Sequence, residues 1–253
     1  MPTGEMCSLW EANYLIMEIP KEDGSECDQI NCMINLYCDD EWRELIDKHK
    51  STLQFPKGTR FITEGQNVQG IYIIHSGKVK VVKHLSKTTE RIIRLAVDGN
   101  LVGQRGLCTK TYPISAISLT DVTLAFIPNI VFIKMLKTNQ RLLFNMLRYF
   151  TDELRCAEEH MKKIVQLPVK NKVAYALLMN AKAFGFKEDD TKTLAFPLNR
   201  KEISNIAAST YETTIRMLKK LEQEKTIELL PKDIKILNLD KVKHYSKTNY
   251  DEQ

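Results

Sequence analysis

The residues best suited to chemistry in this chain are its six cysteines and one basic, helix-patterned segment near the C-terminus. Cys27, Cys32 and Cys38 fall within twelve residues of a polar arm, with Cys7 ahead of them, whereas Cys108 and Cys156 stand alone. Thiolates this crowded can hold a soft metal or pair as a redox-active disulfide. The competing possibility is that small apolar thiols fill space, which is the expected role of Cys156. His75, His84 and His160 are scattered without ligand spacing and are expected as packing or surface residues, with haem ligation by one of them left open. No nucleophile–base grouping, phosphate loop or zinc motif is present in the sequence, so an enzyme is not expected.

The second constellation runs from Arg200 to Leu221. Ile203, Ile206 and Ala207 form one inward face and Thr214, Leu218 and Leu221 the next, and small residues at Ala207 and Ala208 let two helices cross closely. The opposite stripe of the second helix presents Tyr211, Glu212, Ile215, Arg216 and Lys219. In a DNA major groove Arg216 can fork onto guanine O6 and N7, Glu212 can accept from cytosine N4, and Ile215 can touch a thymine methyl. Arg200, Lys219 and Lys220 would then hold phosphates. A local alternative competes: Ser209 and Glu212 have capping-box spacing, and Glu212 with Arg216 has the spacing of a surface ion pair.

The elements that must position these residues follow from texture. The chain has 253 residues, 43% hydrophobic and 27% charged, enough for two modest domains, and its formal charge of +5 permits a polyanionic partner without requiring one. No apolar run has the roughly 20 residues of a membrane span, and the acidic N-terminus lacks a secretory pattern, so a cytoplasmic location is expected. Residues 1–50 form a cysteine-containing arm ending in a short amphipathic helix over Asp39 to Lys50. Short β-branched runs punctuated by glycines fill residues 51–130 and predict a sandwich or barrel. The span 131–165 contains no glycine or proline and predicts one long helix. A single barrel cannot cover all of its apolar stripe, so the remainder is expected against a second subunit. Three short helices and a strand pair, Ile227 to Leu230 and Ile234 to Leu237, give residues 166–243 the order of a winged helix-turn-helix, and 244–253 reads as a mobile polar tail.

The pattern Glu212-Thr213-Thr214-Ile215-Arg216, together with Gly99-Asn-Leu-Val-Gly103, resembles the superfamily of the cyclic-AMP receptor protein and the fumarate-nitrate reduction regulator (Crp/Fnr). The resemblance implies an α+β chain: an N-terminal jelly-roll β-barrel sensor, a long dimerisation helix and a C-terminal winged helix-turn-helix. It implies a homodimer on a two-fold symmetric, palindromic operator with half-sites about one helical turn apart, and contact with RNA polymerase if the protein activates. Nucleotide-binding members carry Glu and Arg where this chain has Gln104 and Ile114, so cyclic AMP is not the expected effector. Cys27-x4-Cys32-x5-Cys38 is similar to the cysteine arm of the oxygen-sensing branch, whose thiolates hold an iron–sulfur cluster, here expected as [4Fe-4S]. In that branch the fourth cysteine precedes an Ile-Pro, where this chain has Ala125; Cys108 is the favoured substitute and Cys7 the second. The implied function is an oxygen- or redox-responsive regulator, with a thiol-disulfide switch or a small-molecule effector in the barrel as alternatives.

Overall fold

The computed structural model describes residues 44, 46, 48–86 and 89–247, and Cys7, Cys27, Cys32 and Cys38 lie outside them. Eight strands form two four-stranded antiparallel sheets: β1 (Ser51–Phe55), β8 (Val122–Pro128), β3 (Gly70–Ser76) and β6 (Leu101–Val102) in one, and β2 (Arg60–Ile62), β7 (Ser115–Ser118), β4 (Val79–His84) and β5 (Glu90–Ala96) in the other. This double-sheet order is that of a jelly roll.

Strand β3 is buried without a break from Gly70 to Ile74, because its part of the sheet is covered on both faces. In β3, Tyr72 and Ile74 point between the sheets, where Ile62, Val81, Tyr112 and Ile114 are also buried. Ile71 and Ile73 point outward beneath two helices, α1 (Asn129–Thr138) and α2 (Gln140–Gln166), in a cluster with Phe132, Met135, Leu142 and Met146. Side chains alternate across a strand, so a run of isoleucines serves two cores at once. Gly70 starts β3 because a Cβ there would sit 2.1 Å from the Ile127 carbonyl oxygen. Glu44, Ile46, Lys48 and His49 are helical, and Ile46 is buried in the cluster under α1 and α2.

The single helix expected over 131–165 is in fact two. Asn139 breaks it with extended backbone (φ −112°, ψ 95°), and its side-chain oxygen accepts from the Leu142 N–H at 2.9 Å. An asparagine that caps the second helix interrupts the first without glycine or proline. The break lets Met135 and Leu142 both reach the sheet, while α2 leaves Phe144, Leu147, Leu154, Met161 and Val165 60–75% exposed. With Thr151 and Glu158, these residues repeat at heptad spacing along one open seam.

The C-terminal part comprises α3 (Val169–Phe184), α4 (Arg200–Ile206), α5 (Tyr211–Gln223), the hairpin β9 (Ile227–Leu229) and β10 (Ile234–Ile236), and α6 (Leu239–Tyr245). The expected mobile tail therefore begins too early: His244 and Tyr245 are helical and Ser246 is buried. Asn238 caps α6 by accepting from the Lys241 N–H, Val242 is fully buried, and the Tyr245 hydroxyl donates to Glu224 at 2.8 Å beneath the Lys170 ammonium. Residues 248–253 lie outside the described residues. Among the described residues no helix is long and apolar enough to cross a membrane.

Candidate DNA interface

Two caps fix the geometry of the helix pair. At α4, the Asn199 side chain accepts from the Glu202 N–H (2.9 Å) while Glu202 accepts from the Asn199 N–H (3.0 Å), a reciprocal capping box. At α5 the cap is Thr210, which accepts from the Thr213 N–H at 3.2 Å. The alternative capping box on Ser209 and Glu212 does not form, because the helix begins one residue later and Glu212 stays exposed. Between the helices Ala208 takes a left-handed conformation (φ 51°) and the Ser209 N–H donates to the Ser204 carbonyl, giving the tight turn its direction.

The inward residues Ile203, Ile206, Ala207, Thr214, Leu218 and Leu221 are all buried, as their spacing predicts. The opposite face of α5 is open: Tyr211 is 47% exposed, Glu212, Arg216, Lys219 and Lys220 are exposed, and Ile215 is half-buried. Glu212, Ile215, Arg216, Lys219 and Lys220 line a shallow groove of about 600 Å³. Among the described residues no ion pair engages Glu212, Arg216, Lys219 or Lys220, so the alternative Glu212–Arg216 surface pair is not made. Arg200 sits half-buried at the start of α4, where desolvation pulls its guanidinium down and neighbouring Tyr211 and Glu222 oppose that. Lys201 and, at the hairpin tip, Lys232 are exposed cations that the spacing argument missed. The Pro231-Lys232-Asp233 turn was the available signal for the latter, since a turn tip projects its side chains.

In the β-domain, Cys108 is exposed just after a 3-10 turn over Gln104–Gly106. Leu107, its neighbour, packs against the core cluster that also buries Ile46. Gln104 is buried and donates to the Tyr149 hydroxyl at 3.3 Å, and burial pushes that phenol up to about 12. Arg94 and Arg105 both reach Glu153 of α2, at 3.3 and 3.4 Å. Ala125 is buried on the outer face of its sheet. His84 contacts Glu64 and Glu90, and His160 contacts the Tyr175 hydroxyl, while His75 is half-buried. Cys156 is half-buried on α2. Among the described residues no group of three histidines, cysteines or carboxylates could hold a metal, and three of the four proposed cluster ligands lie outside them.

Residues 52–139 match the cyclic nucleotide-binding domain family and residues 171–245 match the Crp-like helix-turn-helix domain family. The chain belongs to the Crp/Fnr family of transcription regulators. It is a DNA-binding regulator and not an enzyme. Its relatives include the transcriptional activatory protein AadR of Rhodopseudomonas palustris, 27% identical over 183 residues that cover 72% of this chain and 75% of AadR. The anaerobic regulatory protein of Bacillus subtilis is 22% identical over 74% of this chain and 79% of its own length. Among solved structures, FixK2 from Bradyrhizobium japonicum superposes with a TM-score of 0.70 at 18% identity, covering 79% of this chain and 98% of FixK2. That likeness establishes a shared fold.

Proposed function

We propose that this Crp/Fnr regulator acts as a homodimer on a palindromic operator, reading each half-site with Glu212, Ile215 and Arg216. Tyr211 flanks the reading face, and Arg200, Lys219 and Lys220 anchor phosphates. The observation that carries the proposal is the open face of α5, where a guanidinium and two ammonium groups lack any partner within the described residues. A half-buried isoleucine among them suits a thymine methyl. The exposed heptad seam of α2 supports dimerisation, because an isolated chain would leave five large apolar side chains in water. The functional units are then an arm, 1–50; a barrel, 51–130; a dimerisation segment, 131–165, carried by α2; and a DNA-binding unit, 166–243, extended by α6. A cytoplasmic location and, for an activator, contact with RNA polymerase complete the proposal.

The sensor is an oxygen- or redox-responsive one. Cys27, Cys32, Cys38 and Cys108 are the residues that would hold an iron–sulfur cluster, and joining three arm thiols to one on a barrel loop would tie the arm to the barrel. Cys108 fits such a role because its thiol is exposed just after the short turn over Gln104–Gly106. When bound, the cluster supplies an oxygen-labile centre. A relative from Bacillus subtilis named as an anaerobic regulatory protein lends support, although a relative from Mycobacterium tuberculosis is named as cAMP-activated. Here Ile114 is buried apolar side chain and Gln104 is engaged with Tyr149, so neither offers a charge to a cyclic phosphate. The same exposure of Cys108 favours a second reading, a disulfide between that thiol and an arm cysteine.

Iron and sulfide content with the visible spectrum of protein purified without oxygen separates the two. Near-stoichiometric iron and sulfide with an air-bleached visible band supports the cluster; iron-free protein that gains a disulfide in air supports the switch.

A further inference from the structure

The outer face of the sheet β2-β7-β4-β5 is covered by the DNA-binding unit itself. Val82, Ile92, Leu95 and Leu119 are buried in one core with Leu177 of α3 and Ile203 and Ile206 of α4. Polar contacts lock the orientation of that packing. Lys80 on β4 pairs with Glu202 at 2.8 Å, with the two side chains only 21% and 11% exposed. One Glu202 oxygen takes this ammonium while the other caps α4, so the barrel holds the residue that starts the helix. At the other end of α4, Arg91 on β5 donates to the Asn205 carbonyl at 3.3 Å, an acceptor that the helix end leaves open. Three residues further along β5, Arg94 reaches Glu153 on α2. One strand thus grips both the helix that carries the open apolar seam and the first helix of the DNA-binding pair.

The contact leaves the reading face open, since Glu212, Arg216 and Lys219 are exposed while α4 is docked. It therefore orients the reading helix instead of masking it. We propose that Lys80 and Arg91 are positioning residues for DNA recognition: they fix α4, and with it α5, relative to α2 and so set the half-site spacing that the protein accepts. This rests on the dimeric, two-half-site reading above. Half-site spacing is a geometric property of a dimer, so a change in the angle at which α4 sits on the barrel shifts the two reading helices together or apart. Neither residue touches the α5 reading face, which separates spacing selectivity from base recognition.

The test uses full-length protein and duplexes with two copies of its selected half-site, spaced one base pair apart in steps, plus a duplex with one half-site. Wild-type protein should favour one spacing by about tenfold over spacings two base pairs away, through the effective concentration of the second head. In the double variant Lys80→Met, Arg91→Met the preference should fall to about threefold or less, with affinity for the single half-site unchanged. Lys80→Arg, which keeps the charge, should retain the wild-type profile and guards against a double variant that fails to fold. An unaltered spacing profile in a folded double variant, or a flattened one in Lys80→Arg, would overturn the proposal. Wild-type protein with no spacing preference would count against the dimeric reading as well, so the two failures are distinguishable.

Discussion

Two charged regions of this molecule differ in one respect: whether their charges are satisfied from within. On the barrel and its contact with α2, Arg94 and Arg105 share Glu153, Arg60 and His84 share Glu90, and Lys83 and His84 share Glu64. On α5, Arg216, Lys219 and Lys220 face solvent with no ion pair among the described residues. Paired charges hold elements together, whereas three adjacent unpaired cations repel one another and are best explained by an external polyanion. The contrast teaches where to look for a partner: composition placed a mild +5 on the whole chain, but only pairing shows which cations are available.

Four changes break or sharpen that contrast. The largest effect should come from Leu154→Asp on the α2 seam. Placing a charge in a dimer core should convert the protein to monomers by sedimentation and reduce operator affinity by orders of magnitude, since one head alone loses the second half-site. Next, Arg216→Ala should remove about 1–3 kcal/mol of discrimination per half-site, seen as a narrowed affinity gap between cognate and scrambled duplexes. Lys219→Ala should weaken all duplexes alike and flatten the slope of log K against log salt by about one unit.

The smallest effect belongs to the paired region. Burial would raise the Glu64 carboxyl, but the His84 N–H, the Lys83 ammonium and the His84 ring hold it down to about 2. A carboxyl held below its unfolded value stabilises the fold above that value, near 4.5, and the contribution is lost as pH falls towards 2. Glu64→Gln should therefore lower stability by on the order of 1 kcal/mol at neutral pH and leave it unchanged at the acid end, with DNA affinity unaffected. Thermal melts at pH 7 and pH 3 check this: the loss should be smaller at pH 3, where part of the contribution is already gone, and an equal loss at both would contradict it.

Much of the DNA-binding end was legible because its signals are local. The bounds Tyr211 and Gln223 of the reading helix follow from a 3.6-residue stripe, and its inward and outward faces are where that period places them. The capping-box spacing of Ser209 and Glu212 is a motif match without a cap, since Thr210 captures the helix start one residue further on. The break at Asn139 depends on both halves reaching the sheet, a tertiary demand that helical periodicity does not carry. The helix α6 was overlooked because Leu239, Val242 and Tyr245 are too few for a periodic signal, although Asn238 supplied its cap. The grip of β4 and β5 on α4 joins residues more than a hundred positions apart, and nothing local in the sequence announces it.

The most direct test of the central claim is selection of duplexes from a random pool by full-length protein purified without oxygen, run beside Arg216→Ala. A two-fold symmetric motif with a G·C pair in each half-site, lost in the variant, is the predicted result. An asymmetric motif, or the same motif recovered with Arg216→Ala, would contradict the assignment of α5 as the reading helix of a dimer.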